Sequence, residues 1–198
     1  MMSADIIQDV SFFVNGLFDR ALPKELTFHQ KRHTEEVVEQ VLFIGEQSII
    51  LEEQLQMLEI AAWFHDSGYC YTYINHEVKS IDIAVDFLKT RDCPADYIQK
   101  IEYLITATRL PQNPFSRVEE IICDADMAHL ASDNYPAYSE RLRKEWAIYL
   151  NKTYTDEEWD KLNIDFLTKH HYFSKYGQQV LEPLKQKQLR KIKSKWEQ

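Results

Sequence analysis

Apolar residues recur every three or four positions along almost the whole chain, which is the spacing of amphipathic helices. Ile6, Val10, Phe13 and Leu17 share one face of a helix predicted over residues 4 to 20, with Pro23 after its end. His33, Val37, Val41 and Ile44 align on a second, from about His29 to Gln47. Leu51, Leu55, Leu58 and Ala62 align on a third, from about Leu51 to Asp66, and Ser67-Gly68 supplies its stop. A polar, tyrosine-rich loop follows from Gly68 to Asn75. Asn75 is a good N-cap for a fourth helix carrying Val78, Ile81, Val85 and Leu88. Cys93-Pro94 opens a fifth that reaches about Thr108, and Pro111 and Pro114 punctuate the next loop. A sixth begins near Ser116 and runs past Leu130. Pro136 marks the entry to a seventh, up to about Leu150. Thr155 with Glu158 forms the capping box of an eighth, and a last helix fills much of 175 to 198. Strand alternation, internal repeats and dividing linkers are not evident. The pattern predicts one all-α domain over residues 1–198, built as a helical bundle.

Composition agrees. The 198 residues hold only 4 Gly and 6 Pro, roughly half of typical usage. That leaves few breakers for the tight turns of a β-sandwich or barrel. The three cysteines, Cys70, Cys93 and Cys123, show no CxxC spacing, so neither a disulfide framework nor a zinc knuckle is expected. The first residues lack a basic stretch followed by an apolar core, and no apolar run approaches about 20 residues. A cytoplasmic protein without a membrane partner is the expectation. The net charge of −9 works against binding a long nucleic acid. The most basic stretch, Lys185 to Lys195, reads as the solvated face of the last helix.

Three features interrupt the apolar pattern with chemistry. His33 lies on the inward stripe of the second helix. Taken singly, such a histidine is more often a satisfied core or capping residue than a ligand. His65-Asp66 ends the apolar run Ala61-Ala62-Trp63-Phe64. Burying an imidazole and a carboxyl group there without partners costs several kcal/mol, so the pair is either solvated or held by a common ion. Asp124 and Asp126 interrupt the sixth helix, with His129 beyond them. Two residues apart on a helix means about 200° of rotation, so the two carboxyl groups do not easily serve one site. One reaches the site, and the other pairs with a base or caps a neighbour.

His33, then His65-Asp66, then an Asp inside an apolar helix resembles the H…HD…D pattern of the HD superfamily of metal-dependent phosphohydrolases. Ala61 to Tyr69 is similar to that family's apolar run into HD-x-G, and Asn75-His76-Glu77 with Ser80 and Ala84 to its next helix. Ile101 to Thr108 is similar to its helix before the last ligand, and Asp124-Ala125-Asp126-Met127 to its closing motif. Tyr138 to Trp146 resembles a subgroup of predicted phosphohydrolases. The resemblance covers roughly residues 25 to 175. It implies an HD core over about 25–132, with C-terminal helices of about 135–198 packed onto it.

The resemblance further implies one divalent ion (Mn, Mg, Co, Ni, Fe or Zn) held by His33, His65, Asp66 and Asp126. Two imidazoles and two carboxyl groups suit such an ion, and the expected reaction is hydrolysis of a phosphate ester or anhydride. The expected substrate is a nucleotide or a similar small phosphate compound. His76 and Glu77 are the acid–base candidates at the helix that opens after the loop, and Asp124 is a third catalytic candidate. Arg32, Lys79 and Arg109 are candidate phosphate contacts. Two-metal branches of the superfamily carry a further histidine in the stretch corresponding to 95 to 108; none stands here, which favours one ion. Arg141 and Glu145, one helical turn apart, fit an ion pair of little worth. Tyr69, Tyr71 and Tyr73 fit a lid or a stacking platform. A non-catalytic module that binds and senses a nucleotide is the alternative, and residues 135 to 198 leave room for a homodimer surface.

Overall fold

The computed structural model describes residues 5–196. Helices occupy the segments that the periodicity marks, and among the described residues there is no strand. In chain order they are α1 (Asp5–Ala21), α2 (Lys31–Glu46), α3 (Glu52–Phe64), α4 (His76–Lys89), α5 (Ala95–Ala107), α6 (Arg117–Asp126), α7 (Tyr135–Tyr149), α8 (Asp156–Lys169) and α9 (Glu182–Lys193). α2 packs between α3 and α6, α3 also meets α5 and α1, and α4 lies on α5. α9 packs on α8 and on the turn after α6. One continuous apolar cluster runs from Val10 and Val14 of α1, through Val41, Leu58 and Ile122, to Leu189 and Ile192 of α9. The C-terminal helices therefore share the core of the N-terminal ones. No described helix is long and apolar enough to cross a membrane.

Several ends follow the expected local chemistry. Ser116 Oγ accepts the Glu119 amide at 3.3 Å and caps α6. At α8 the Glu158 amide donates to Thr155 Oγ1 at 3.3 Å, while the Thr155 amide donates to Glu158 Oε2 at 2.7 Å. These two bonds satisfy helix-end donors reciprocally.

Two ends depart from expectation. Asn75 adopts a left-handed φ of 58° and makes no side-chain cap; its Oδ1 instead accepts from Arg109 Nη2 at 3.3 Å. α6 stops at Asp126 instead of running past Leu130, and residues Met127–Ala131 form a tighter 3₁₀ turn. The cause is local: His129 Nδ1 donates to the Asp126 carbonyl at 3.0 Å, the oxygen an α-helix would offer to a later amide. The last helical stretch runs unbroken over residues 175–193, within the segment expected for it. A wide π-turn, Gly177–Leu181, precedes α9, where Pro183 supplies no amide for a bond back along the helix.

Two glycines permit close approaches that a side chain would block. A Cβ on Gly68 would lie 2.0 Å from the His76 carbonyl oxygen, and one on Gly177 would lie 2.1 Å from Asp124 Oδ2. The first contact sets the turn after His65-Asp66 against the start of α4, where the Gly68 amide also donates to Ser80 Oγ at 2.8 Å.

Lys185 is fully buried on α9. Its ammonium donates to the His170 carbonyl and lies 3.4 Å from His170 Nδ1. Burial, and then the charge of Lys185, push the His170 imidazole down to about 4. The folded protein thus holds His170 neutral, whereas the unfolded chain takes up its proton near 6.5. Between those values the unfolded state binds more protons, so stability falls as pH drops. His170→Gln is expected to remove about 1–2 kcal/mol of the stability lost between pH 7 and 5. Urea midpoints of both proteins at the two pH values check this.

Candidate metal centre

The end of α3 brings the first two groups together. His65 closes the helix and Asp66 leaves it with φ −105° and ψ 4°, so the chain turns away at that point. This change of backbone lets adjacent side chains face the same region. His65 Nδ1 donates to the Ala62 carbonyl at 2.7 Å. A carbonyl only accepts, so Nδ1 carries a proton and Nε2 is the nitrogen left facing the interior. That is the arrangement of a metal-ligating imidazole.

The interior surroundings are set by two further elements, α2 and α6. His33, buried on the first turn of α2, places Nε2 3.6 Å from Asp66 Oδ2 and 3.2 Å from Asp126 Oδ1. His65 Nε2 lies 3.3 Å from Asp66 Oδ2 and 3.7 Å from Asp126 Oδ1. His33, His65 and Asp66 each offer a ligand atom within 4.8 Å of one another, a buried group that can hold a metal ion. Asp126, at the end of α6, stands beside this trio. His65 Nε2 and Asp66 Oδ2 have no hydrogen-bond partner. The two atoms face each other at 3.3 Å without forming a hydrogen bond; buried polar atoms left so are costly, and a shared cation satisfies both. The donor set and the orphaned atoms fit a divalent ion.

The electrostatics are those of a buried cluster that holds a proton. Burial opposes charge on His65, but Asp66 and then Asp126 outweigh it and raise the imidazole to about 9. Burial also opposes ionisation of Asp66, yet His65 and His76 outweigh it and hold the carboxyl group well below its ordinary range. An ion entering the centre displaces the proton of His65. His129 is the opposite case: burial, then the nearby His33, lower its imidazole to about 4.

His76 and Glu77 reach the same site from the start of α4. His76 Nε2 lies 3.3 Å from Asp66 Oδ1, and its Nδ1 lies 3.7 Å from Glu77 Oε2. The His76 ring stacks on Tyr69 with centroids 3.8 Å apart. Asp66, His76, Glu77, Arg109 and Asp126 line one cavity of about 680 Å³.

Asp124, Arg32 and Lys79 do not join them. Asp124 is fully buried away from that cavity, and its oxygens accept the Phe173 and Ser174 amides, each at 2.8 Å. Of the two roles open to it, Asp124 has the cap and, contrary to the catalytic role expected of it, does not reach the cavity. The half turn between Asp124 and Asp126 sends them to opposite sides of α6. Asp124→Ala leaves two buried amides without acceptors and should destabilise the protein by about 2–4 kcal/mol. Metal stoichiometry should be unchanged; urea unfolding and metal analysis of the variant read the two effects separately. Arg32 is mostly solvent-exposed and pairs with Glu36 at 2.8 Å. Lys79 pairs with Asp82 at 3.9 Å and lies over the exposed Tyr71 ring. Neither borders the cavity, so both corrections leave Arg109 as its phosphate-contact candidate.

The ion pair expected between Arg141 and Glu145 is also absent. Glu145 is fully buried and accepts the amides of Phe28 and of His29, the latter at 2.9 Å. Its Oε2 lies 2.6 Å from His29 Nδ1 and accepts from Tyr73 at 3.4 Å. His29 Nε2 in turn accepts from the Tyr69 hydroxyl at 3.1 Å. One carboxyl group on α7 thus clamps the chain just before α2, one turn ahead of His33. Arg141 instead lies over the Tyr138 ring. Tyr69 and Tyr73 are packed into this assembly, with Tyr73 stacked on Tyr149 at 4.6 Å, while Tyr71 stays exposed. His29 and Glu145 carry no local signal, since 116 positions separate them. The only trace is a histidine one helical turn before His33.

Comparison with protein-family models, with curated proteins and with solved structures finds no match.

Proposed function

We propose that this chain is a metal-dependent phosphohydrolase of the HD superfamily, holding one divalent ion and cleaving a small phosphate ester or anhydride. The observation that carries the reading is two buried atoms without a hydrogen bond, His65 Nε2 and Asp66 Oδ2, 3.3 Å apart beside His33 and Asp126 at a cavity. His33 and His65 would hold the ion through Nε2, and Asp66 and Asp126 through a carboxylate oxygen. Such an ion supplies Lewis-acid chemistry, polarising a phosphoryl oxygen and acidifying water.

The other roles belong to the chain itself. Arg109 is the guanidinium at the cavity and binds phosphate oxygens. His76, held between Asp66 and Glu77, moves the proton that the attacking water loses or the leaving oxygen gains. Glu145 fixes the entry to α2 and so orients His33. The net charge of −9 disfavours a polyanion and suits a small substrate.

The test is hydrolysis of an aryl phosphate and a panel of small phosphate esters with Mn²⁺, Mg²⁺, Co²⁺ or Ni²⁺. Turnover that a chelator abolishes and the added ion restores supports the reading. A protein that binds the ion but turns over nothing would instead be a non-catalytic binding module.

A further inference from the structure

The cavity that reaches Asp66 and Asp126 continues between α7 and α8, where Leu142, Trp146, Trp159, Leu162 and Phe166 wall it. Leu162 and Phe166 lie one turn apart on α8 and are 38% and 37% exposed despite being apolar. The surface they leave open is cavity wall.

The polar groups on that wall are already committed to one another. Trp159 Nε1 donates to Ser139 Oγ at 2.8 Å, and the Ser139 hydroxyl donates to Asn163 Oδ1 at 2.8 Å. Tyr135 also donates to Asn163 Oδ1, and Asn163 Nδ2 donates to the Trp159 carbonyl at 2.7 Å. Each has its partner before any ligand arrives. A wall of this kind offers stacking and apolar area, and little to read the edge of a base or the hydroxyls of a sugar.

Charge limits the other end. Among the described residues, Arg109 and Lys169 are the lysine and arginine side chains that border the cavity. Lys169 is paired with Asp165 at 2.8 Å. Asp66, Glu77 and Asp126 border it as well. Arg109 donates to the neutral Asn75 amide and has no carboxylate partner; one ion and one such guanidinium suit a single phosphate group and not a polyphosphate chain.

We propose that the substrate is a phosphate monoester of an apolar alcohol, aryl or alkyl, with Leu142, Trp146, Leu162 and Phe166 selecting the apolar group. This rests on the phosphohydrolase reading and narrows it away from nucleotides. In the reaction the oxygen of water bonds to phosphorus and the ester P–O bond breaks. The alcohol leaves with a proton, and inorganic phosphate remains.

Non-hydrolysable ligands test this by binding alone. Calorimetric titration of the Mn²⁺-loaded protein compares methylphosphonate, 1-naphthylmethylphosphonate, AMP and ATP. The naphthylmethyl compound should bind about 10- to 100-fold tighter than methylphosphonate, and tighter than either nucleotide. Leu162→Ser with Phe166→Ser, both at exposed positions, should remove about tenfold of that gain and leave methylphosphonate binding unchanged. Circular dichroism confirms that the double variant is folded. Equal binding of the two phosphonates, or tighter binding of AMP or ATP, overturns the substrate inference and leaves the phosphohydrolase reading standing. Failure of all four ligands to bind overturns both.

Discussion

Asp66→Ala should lower divalent-metal affinity by more than about a hundredfold and take phosphate-ester hydrolysis below detection. Groups that merely support a metal ligand change affinity by about 10- to 100-fold when removed, and a direct ligand must exceed that. Asp66 faces both imidazoles through Oδ2, at 3.6 Å from His33 and 3.3 Å from His65, while Oδ1 faces His76 at 3.3 Å. One substitution therefore removes a ligand oxygen and the partner of the proposed proton-transfer group. It also removes the strongest attraction that raises His65 against its burial, so that imidazole becomes easier to deprotonate. The remaining centre is neutralised more readily, and the chain should still fold. Asp66→Asn, which keeps the shape, should lose the metal as well. Calorimetric metal titration, with circular dichroism as the folding control, separates lost binding from lost structure.

Glu145→Ala should be the most destabilising single change near the site, by about 3–5 kcal/mol. The Glu145 side chain has no solvent exposure and gathers two backbone amides and the His29 ring. Truncation leaves those groups buried with no acceptor, and each unsatisfied donor costs about 1–3 kcal/mol. Glu145→Gln retains an oxygen for the two amides and should cost about half as much or less. Because the clamp sits one turn before His33, metal affinity should fall in the same order, alanine more than glutamine. Urea unfolding and metal titration of the two variants give that order. A Glu145→Ala protein as stable as the parent would mean that the clamp does not hold α2.

Much of the architecture was legible because it is local. The stripe of His33, Val37, Val41 and Ile44 is buried on α2 as its spacing requires. The caps at Ser116 and Thr155 form where their residue types put them. The polar interruptions of apolar helices at His33, His65 and Asp66 mark one buried cluster with Asp126 beside it, since each would be unfavourable alone.

What was not legible is what tertiary packing decides. Arg141 and Glu145 are neighbours on an isolated helix, yet the burial of α7 turns Glu145 toward Phe28 and His29. Asn75 has the side chain of an N-cap but spends it on Arg109. Asp124 and Asp126 look alike in the sequence. Only the amides of Phe173 and Ser174 on one side, and His33 on the other, separate the structural carboxyl group from the one at the cluster. Phosphate contacts were the least legible, because an arginine or lysine near a motif is usually a solvated charge. Arg32 and Lys79 are such charges, and Arg109 borders the cavity.

The most direct measurement is X-ray absorption spectroscopy of the protein loaded with one equivalent of Co²⁺ or Ni²⁺. A centre built from His33, His65, Asp66 and Asp126 requires two imidazoles and oxygen ligands around a single ion, with half of the imidazole scattering lost in His65→Ala. An ion that shows no imidazole scattering, or the same scattering in His65→Ala, would contradict it.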